Sequence, residues 1–320
     1  MYLYPLQFVP ILKERIWGGE KLKTLLNKSI SSNTTGESWE LSAVEGDISV
    51  ISNGALKGKT LVDIINASPI EVLGSSVYET FGKQFPLLFK LLDAREDLSI
   101  QVHPNDALAQ ERHSSFGKTE MWYVMQADAD ARLIVGFQKD SNAAEYVAHL
   151  DNKQLLSLLD TVKVKEGDAF FLETGTVHAI GAGLVIAEIQ QTSDITYRLY
   201  DFDRKDANGA TRELHIDLAL DAINYNKIDT RKPYTDLVNE SNTIVDCPYF
   251  TTNFIPLDGE LLVDKTTASF RVYMCVAGSF TIDYDAVSYR YETGDTVLIP
   301  AAIPSYLLNG KASILEIYIS

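Results

Sequence analysis

Cysteine is nearly absent from this chain. Cys247 and Cys275 are the only two in 320 residues. Two cysteines give no disulfide framework and fit a reducing compartment. Each lies in an apolar, strand-like stretch and reads as a buried structural thiol. Positive charge is scarce too: 28 Lys and Arg stand against 44 Asp and Glu, for a formal charge of −16 and a pI near 4.7. Such a balance argues against nucleic acid or an anionic membrane as partner. It also means that an anionic substrate needs a local cluster of cations to overcome the overall field. No apolar run approaches the ~20 residues that span a bilayer. The opening "MYLYPLQFVPILKERIWGG" has no basic start, is interrupted by prolines and soon meets Lys13, Glu14 and Arg15. It reads as strand and turn and not as a secretory signal. There is no Walker loop and no dinucleotide fingerprint. A soluble, cytoplasmic protein is expected, and its oligomeric state is not fixed by the sequence.

The remainder is rich in short strands broken by Gly, Asn and Asp, among them "SWELSA", "MWYVMQ", "ARLIVGF", "DAFFLE", "LVIAEIQQ" and "DTVLIP". Helical spacing occurs only in "TLVDIINAS" with "IEVLGSSVYETFG", in "DALAQERHSSFG", in "NAAEYVAHLDNKQLLSLLD" and in "TRELHIDLALDAINY". Helical inserts on a strand-rich framework predict β-barrels or sandwiches. A weak internal repeat aligns residues 164–180 with 291–308. It sets Gly167 and Asp168 on Gly294 and Asp295, His178 on Ser305 and, further upstream, Val124 on Val276 and Glu120 on Val272. Two barrels from one ancestral unit are therefore expected, the second without the polar groups of the first. The polar loop "DRKDANGA" is the expected boundary. It divides the chain into a metal-binding domain of residues 1–205, a helical linker of 206–235 and a degenerate C-terminal barrel of 236–320.

The chemistry is carried by few residues. Only five histidines occur, and His113, His149 and His215 lie in polar, helix-like contexts. In "LSIQVHPND" Gln101 and His103 are two apart, so they share one face of a strand, and Pro104 holds His103 extended. Glu120 opens the strand "EMWYVM", and His178 follows the turn "ETGTVH". Two imidazoles, a carboxylate and an amide oxygen make a mixed N/O site. Zinc is its most natural occupant, while two His with one carboxylate also suit iron or manganese. Taken singly, each of these residues could equally be a satisfied structural side chain.

The segments "QVHPND", "GKTEMWYV", "GTVHAIGAGLVIAEIQQTSD" and "YRLYDFDR", with "RIWGG", "GESWELSA" and "FPLLFKLLDAREDLSIQVHPND", resemble the type I mannose-6-phosphate isomerases of the cupin superfamily. The resemblance runs from Arg15 to Arg204 and more faintly beyond, and it is closest to the short bacterial form. It implies a mainly β fold of two cupin-type (jelly-roll) barrels with helical inserts, the second barrel lacking metal ligands. It implies one Zn2+ per chain on Gln101, His103, Glu120 and His178. A neutral Gln ligand leaves more positive charge on the ion than a second carboxylate would.

The implied reaction is reversible aldose–ketose isomerisation of mannose 6-phosphate and fructose 6-phosphate, by proton transfer between C2 and C1 through a cis-enediol(ate). The partner is thus a small-molecule sugar phosphate. The family pattern implies Lys90, Lys118 and Arg198 as phosphate-binding candidates, and Arg198, Asp194 and Lys118 as catalytic candidates. Trp17 and Tyr197 are candidates for the sugar wall, with packing as the alternative. One departure is Glu173, where the family commonly has proline. The competing readings are a non-catalytic, metal-containing sugar-binding cupin and another cupin metalloenzyme.

Overall fold

The structure is a computed structural model that describes residues 1–205 and 209–320. The expected boundary at 206–208 lies outside the described residues. Strands build three large sheets. The first has the order Ile11–Gly19, Thr35–Leu41, Leu87–Ala94, Leu184–Gln191, Glu120–Ala127, Ala169–Leu172. The second has the order Tyr197–Tyr200, Ile100–Val102, His178–Ile180, Arg132–Phe137, Leu159–Lys163. The third has the order Asn242–Asp246, Thr251–Asp264, Ser305–Tyr318, Arg271–Tyr284, Val287–Glu292, with Thr296–Ile299 also on Arg271–Tyr284.

Strand periodicity places the core. Leu92, Trp122, Val124 and Ile186 of the first sheet meet Leu133, Val135 and Ile180 of the second in one apolar interior. Their chain neighbours Leu91, Met121, Tyr123 and Ala187 point the other way, onto Val272, Met274, Leu315 and Ile317 of the third sheet. Alternation by two therefore sets Lys90, Glu120 and Glu188 on the interior face of the first barrel, beside the residues two positions further along. The third sheet closes on its own interior, lined by Tyr273, Cys275, Phe280, Tyr291 and Ile314. The chain start joins this C-terminal unit, because Leu6 and Leu298 exchange backbone hydrogen bonds of 2.8 and 2.9 Å.

The expected inserts are helical at Leu61–Ala67, Pro69–Leu73, Ser75–Phe81, Asp106–His113 and Ala143–Asp151. The helix expected over residues 211–225 is confined to Ile216–Leu220. Residues before it are drawn out along the strand Tyr197–Tyr200: His215 N–H donates to Arg198 O (2.8 Å), and Arg198 N–H donates to His215 Nδ1 (3.1 Å). Cys275 is buried in mid-strand, as expected. Cys247 lies just past a strand, half-buried, with its thiol donating to Phe250 O (3.2 Å).

The repeat is present, but its upstream register differs from the expected one. Gly167 N–H donates to Val124 O and Val124 N–H to Asp168 O, both 2.9 Å; Gly294 and Asp295 make the same pair of bonds with Cys275. Val124 thus corresponds to Cys275, not Val276. Strand pairing agrees: Leu172 faces Glu120 as Ile299 faces Arg271. The residue equivalent to Glu120 is therefore Arg271. The one-residue bulge at Val276, between Cys275 and Ala277, matches one at Met125 between Val124 and Gln126, as this register requires.

Candidate metal centre and substrate cavity

Three neighbouring strands of the second sheet set one row of side chains. Arg198 is the register partner of Gln101, and Gln101 is the register partner of His178. His103 follows two residues after Gln101. Glu120 enters from the first sheet. His103, Glu120 and His178 are buried and bring one potential ligand atom each to within 4.8 Å of one another. His103 Nε2 lies 3.5 Å from Glu120 Oε2, and His178 Nε2 lies 3.3 Å from Glu120 Oε1. The backbone fixes both rings. His103 Nδ1–H donates to Ile195 O (2.9 Å) and His178 Nδ1–H to Thr176 O (2.8 Å), so each Nε2 presents a lone pair.

Gln101 Nε2 donates to His178 Nε2 at 3.3 Å. A half-turn of the amide brings its oxygen to that place, as cation binding requires. Burial lowers both imidazoles, His178 to about 4 and His103 well below the usual range with the Lys118 ammonium adding to it, so both are neutral near pH 7. Burial and the neighbouring Glu188 push the Glu120 carboxyl up to about 8.

A cation fits this group on an observation independent of motif. His103 Nε2 and both oxygens of Glu120 are buried without a hydrogen-bond partner. A buried polar atom left unsatisfied costs roughly 1–3 kcal/mol, and one divalent ion among the three atoms would remove that cost.

A cavity of about 550 Å³ reaches the centre at Gln101 and Lys118. Its wall carries six cations (Lys13, Arg15, Lys90, Lys118, Arg198 and Arg212) and four carboxylates (Glu37, Asp47, Glu188 and Asp194). A locally positive wall therefore exists in a chain of net charge −16. Trp17 and Ser99 line it too. Tyr197 does not; it packs in another core cluster and its hydroxyl bonds His113 Nε2 (2.8 Å).

Lys90 is buried, and its ammonium donates to Glu188 Oε1 (2.9 Å) and Gln190 Oε1 (2.6 Å); Glu188 raises its pKa against the effect of burial. Lys118 Nζ stands 3.8 Å from Glu120 Oε2. Arg198 donates to Glu213 O (2.8 Å), while its Nε is buried without a partner. Asp194 is exposed at the rim.

Glu37, Arg212 and Glu188 were not foreseen. Glu37 accepts two 3.0 Å bonds from Arg15 and one of 2.7 Å from Trp39 Nε1. Arg212 is held by Asp201. The signal for Glu188 was a carboxylate inside the apolar strand "LVIAEIQQ", on the same face as the equally unusual Lys90.

Residues 5–131 match the family described as phosphomannose isomerase type I, catalytic domain, and residues 240–319 match the mannose-6-phosphate isomerase cupin domain. The mannose-6-phosphate isomerase of Streptococcus mutans is 38% identical over 315 residues, covering 97% of each chain. The chain belongs to the type I phosphomannose isomerase family. The mannose-6-phosphate isomerase ManA of Bacillus subtilis is similar to the same degree, 38% over 314 residues and 96% of each chain. A crystal structure of mannose 6-phosphate isomerase from Bacillus subtilis superposes with a TM-score of 0.91 at 35% identity, over 99% of this chain and 100% of that one. The two barrels with helical inserts are thus the family's fold. Among the described residues, no helix is long and apolar enough to cross a membrane.

Proposed function

We propose that this type I phosphomannose isomerase interconverts D-mannose 6-phosphate and D-fructose 6-phosphate by moving a proton between C2 and C1 through a cis-enediol(ate). The observation that carries this reading is a cation-rich cavity whose wall includes Gln101 and Lys118, the neighbours of His178 and Glu120 in a buried His–Glu–His group. A sugar phosphate needs both parts: cations for its phosphate and a polarising centre for its carbonyl end.

Gln101, His103, Glu120 and His178 would hold one divalent ion, taken here as zinc for its two nitrogen and two oxygen donors. When bound, the ion supplies a Lewis acid for the oxygens at C1 and C2. Lys118 lines the cavity beside Glu120 and is assigned the acid–base role, because a proton-transfer group is chosen first by reach. Arg198, next to Gln101 in register, faces the charge that develops on the sugar oxygens. Asp194 at the rim receives sugar hydroxyls. Lys90 contributes positive potential to the phosphate end while its own hydrogen bonds hold Glu188. Residues 1–205, 206–235 and 236–320 are taken as catalytic domain, linker and C-terminal barrel, the last without its own ion. The substrate and the two free cysteines accord with work in the cytoplasm.

The test is a coupled assay that follows fructose 6-phosphate from mannose 6-phosphate. Turnover that requires the 6-phosphate supports the reading. Folded, metal-loaded protein that converts neither sugar phosphate overturns it.

A further inference from the structure

The two segments that carry His103 and Glu120 belong to different sheets. Ile100–Val102 pairs with His178–Ile180 and Tyr197–Tyr200, while Glu120–Ala127 pairs with Ala169–Leu172 and Leu184–Gln191. No strand ladder sets the distance between them, so another device must.

Asp106 bridges the two segments. Its Oδ1 accepts from Gly117 N–H (2.8 Å) and from Gln191 Nε2 (3.0 Å). Gln191 in turn grips the residue before Glu120: its Oε1 accepts from Thr119 N–H (2.9 Å), and its N–H donates to Thr119 O (3.1 Å). Gly117 permits the approach, since a Cβ there would stand 2.7 Å from Asp106 N and 2.9 Å from Asn105 C. The remaining oxygen, Asp106 Oδ2, accepts a 2.6 Å bond from the hydroxyl of Tyr249. Tyr249 lies in the turn after Asn242–Asp246, in the C-terminal unit. A hydroxyl on a carboxylate at this distance is a strong, charge-assisted bond.

We propose that Tyr249 is a positioning residue: through Asp106 and Gln191 it lets the C-terminal barrel fix the spacing of the His103 and Glu120 segments. This rests on the reading of that group as a metal centre. It gives the second barrel a part in the reaction without contact with substrate.

The test uses zinc-loaded, full-length protein with Tyr249→Phe, Asp106→Asn and the double variant. Tyr2→Phe serves as control, because it removes a Tyr–Asp bond of 2.7 Å on the exposed surface. Three quantities are read: the rate of Zn2+ transfer to excess chelator, kcat against KM, and the melting temperature of the zinc-free protein. Loss of an outer-shell partner typically costs 10–100-fold in affinity or activity, and Tyr249 stands one step further out. Tyr249→Phe is therefore expected to speed Zn2+ loss and lower kcat by roughly three- to tenfold, with KM within about twofold. Its zinc-free protein should melt with the Tyr2→Phe control. Asp106→Asn should act in the same direction and more strongly, and the double variant should match it, since both changes cut one path.

Zn2+ release and kcat equal to the parent in Tyr249→Phe, or effects that multiply with those of Asp106→Asn, overturn the proposal. If Asp106→Asn does not fold, Tyr249→Phe against Tyr2→Phe decides alone. A parent that takes up no Zn2+ overturns the metal centre and the positioning role of Tyr249 together. A parent that holds Zn2+ no better than Tyr249→Phe overturns the positioning role only.

Discussion

His178 Nε2 faces Glu120 Oε1 across 3.3 Å, from one sheet of the catalytic barrel to the other. An ion held there joins the sheets as well as serving the reaction. His178→Ala is expected to lose the ion and to cut kcat by more than the 10–100-fold typical of an outer-shell change. Metal analysis with kinetics on one preparation checks this, and retained ion with near-parental turnover would contradict it.

Ion binding should be linked to protons through Glu120. In ion-free protein, burial and Glu188 hold this carboxyl up to about 8, while both imidazoles are neutral. Binding at pH 7 therefore displaces close to one proton, and apparent affinity rises with pH until about 8 and then levels. Titration calorimetry in buffers of different ionisation enthalpy measures the proton. The same group affects the ion-free fold. Between its ordinary 4.5 and about 8 only the folded chain keeps the proton, so its contribution to stability falls as pH rises through that window. Ion binding with no proton release at pH 7 would contradict a protonated Glu120 in the ion-free protein.

Lys90 separates a structural from a substrate-binding role. Its ammonium is committed to Glu188 and Gln190 inside the barrel. Lys90→Met strands Glu188, and breaking a buried pair costs roughly 3–5 kcal/mol, with Lys118 nearby to soften the loss. A clear fall in melting temperature without substrate is expected. An unchanged melting temperature with only a higher KM would make Lys90 a phosphate ligand and nothing more.

The grouping of His103, Glu120 and His178 was legible because its signals are local. Period-two spacing set His103 two residues after Gln101, and the strand ends at Val102, just before His103 and Pro104. Glu120 and His178 stood out by their strand and turn contexts, and the family resemblance selects the same residues. The remaining parts depend on contacts distant in sequence. Glu37 meets Arg15 across a hairpin, Glu188 meets Lys90 across 98 residues, and Tyr249 meets Asp106 across 143. The helix expected over 211–225 was shortened by hydrogen bonds to Arg198 that no periodicity reports. The repeat's register is set by the backbone bonds that Val124 and Cys275 make with their Gly-Asp turns, which makes Arg271 the counterpart of Glu120. That guanidinium pairs with Glu316, register partner of Tyr273 as Glu188 is of Trp122.

This correspondence leads to a prediction for the second barrel. Ser305, which falls on His178 in the repeat, is exposed. Ser305→Ala should leave the ion count at that of the parent. Loss of the ion in this variant would show that the C-terminal barrel carries part of the centre.

Turnover is expected to depend on the ion at Gln101, His103, Glu120 and His178. The most direct measurement titrates Zn2+ into chelator-stripped protein while following mannose 6-phosphate isomerisation and bound metal together. Activity should rise in proportion to bound ion and saturate at one ion per chain. Full activity in protein shown to be ion-free, or saturation with ion without any turnover, would contradict that dependence.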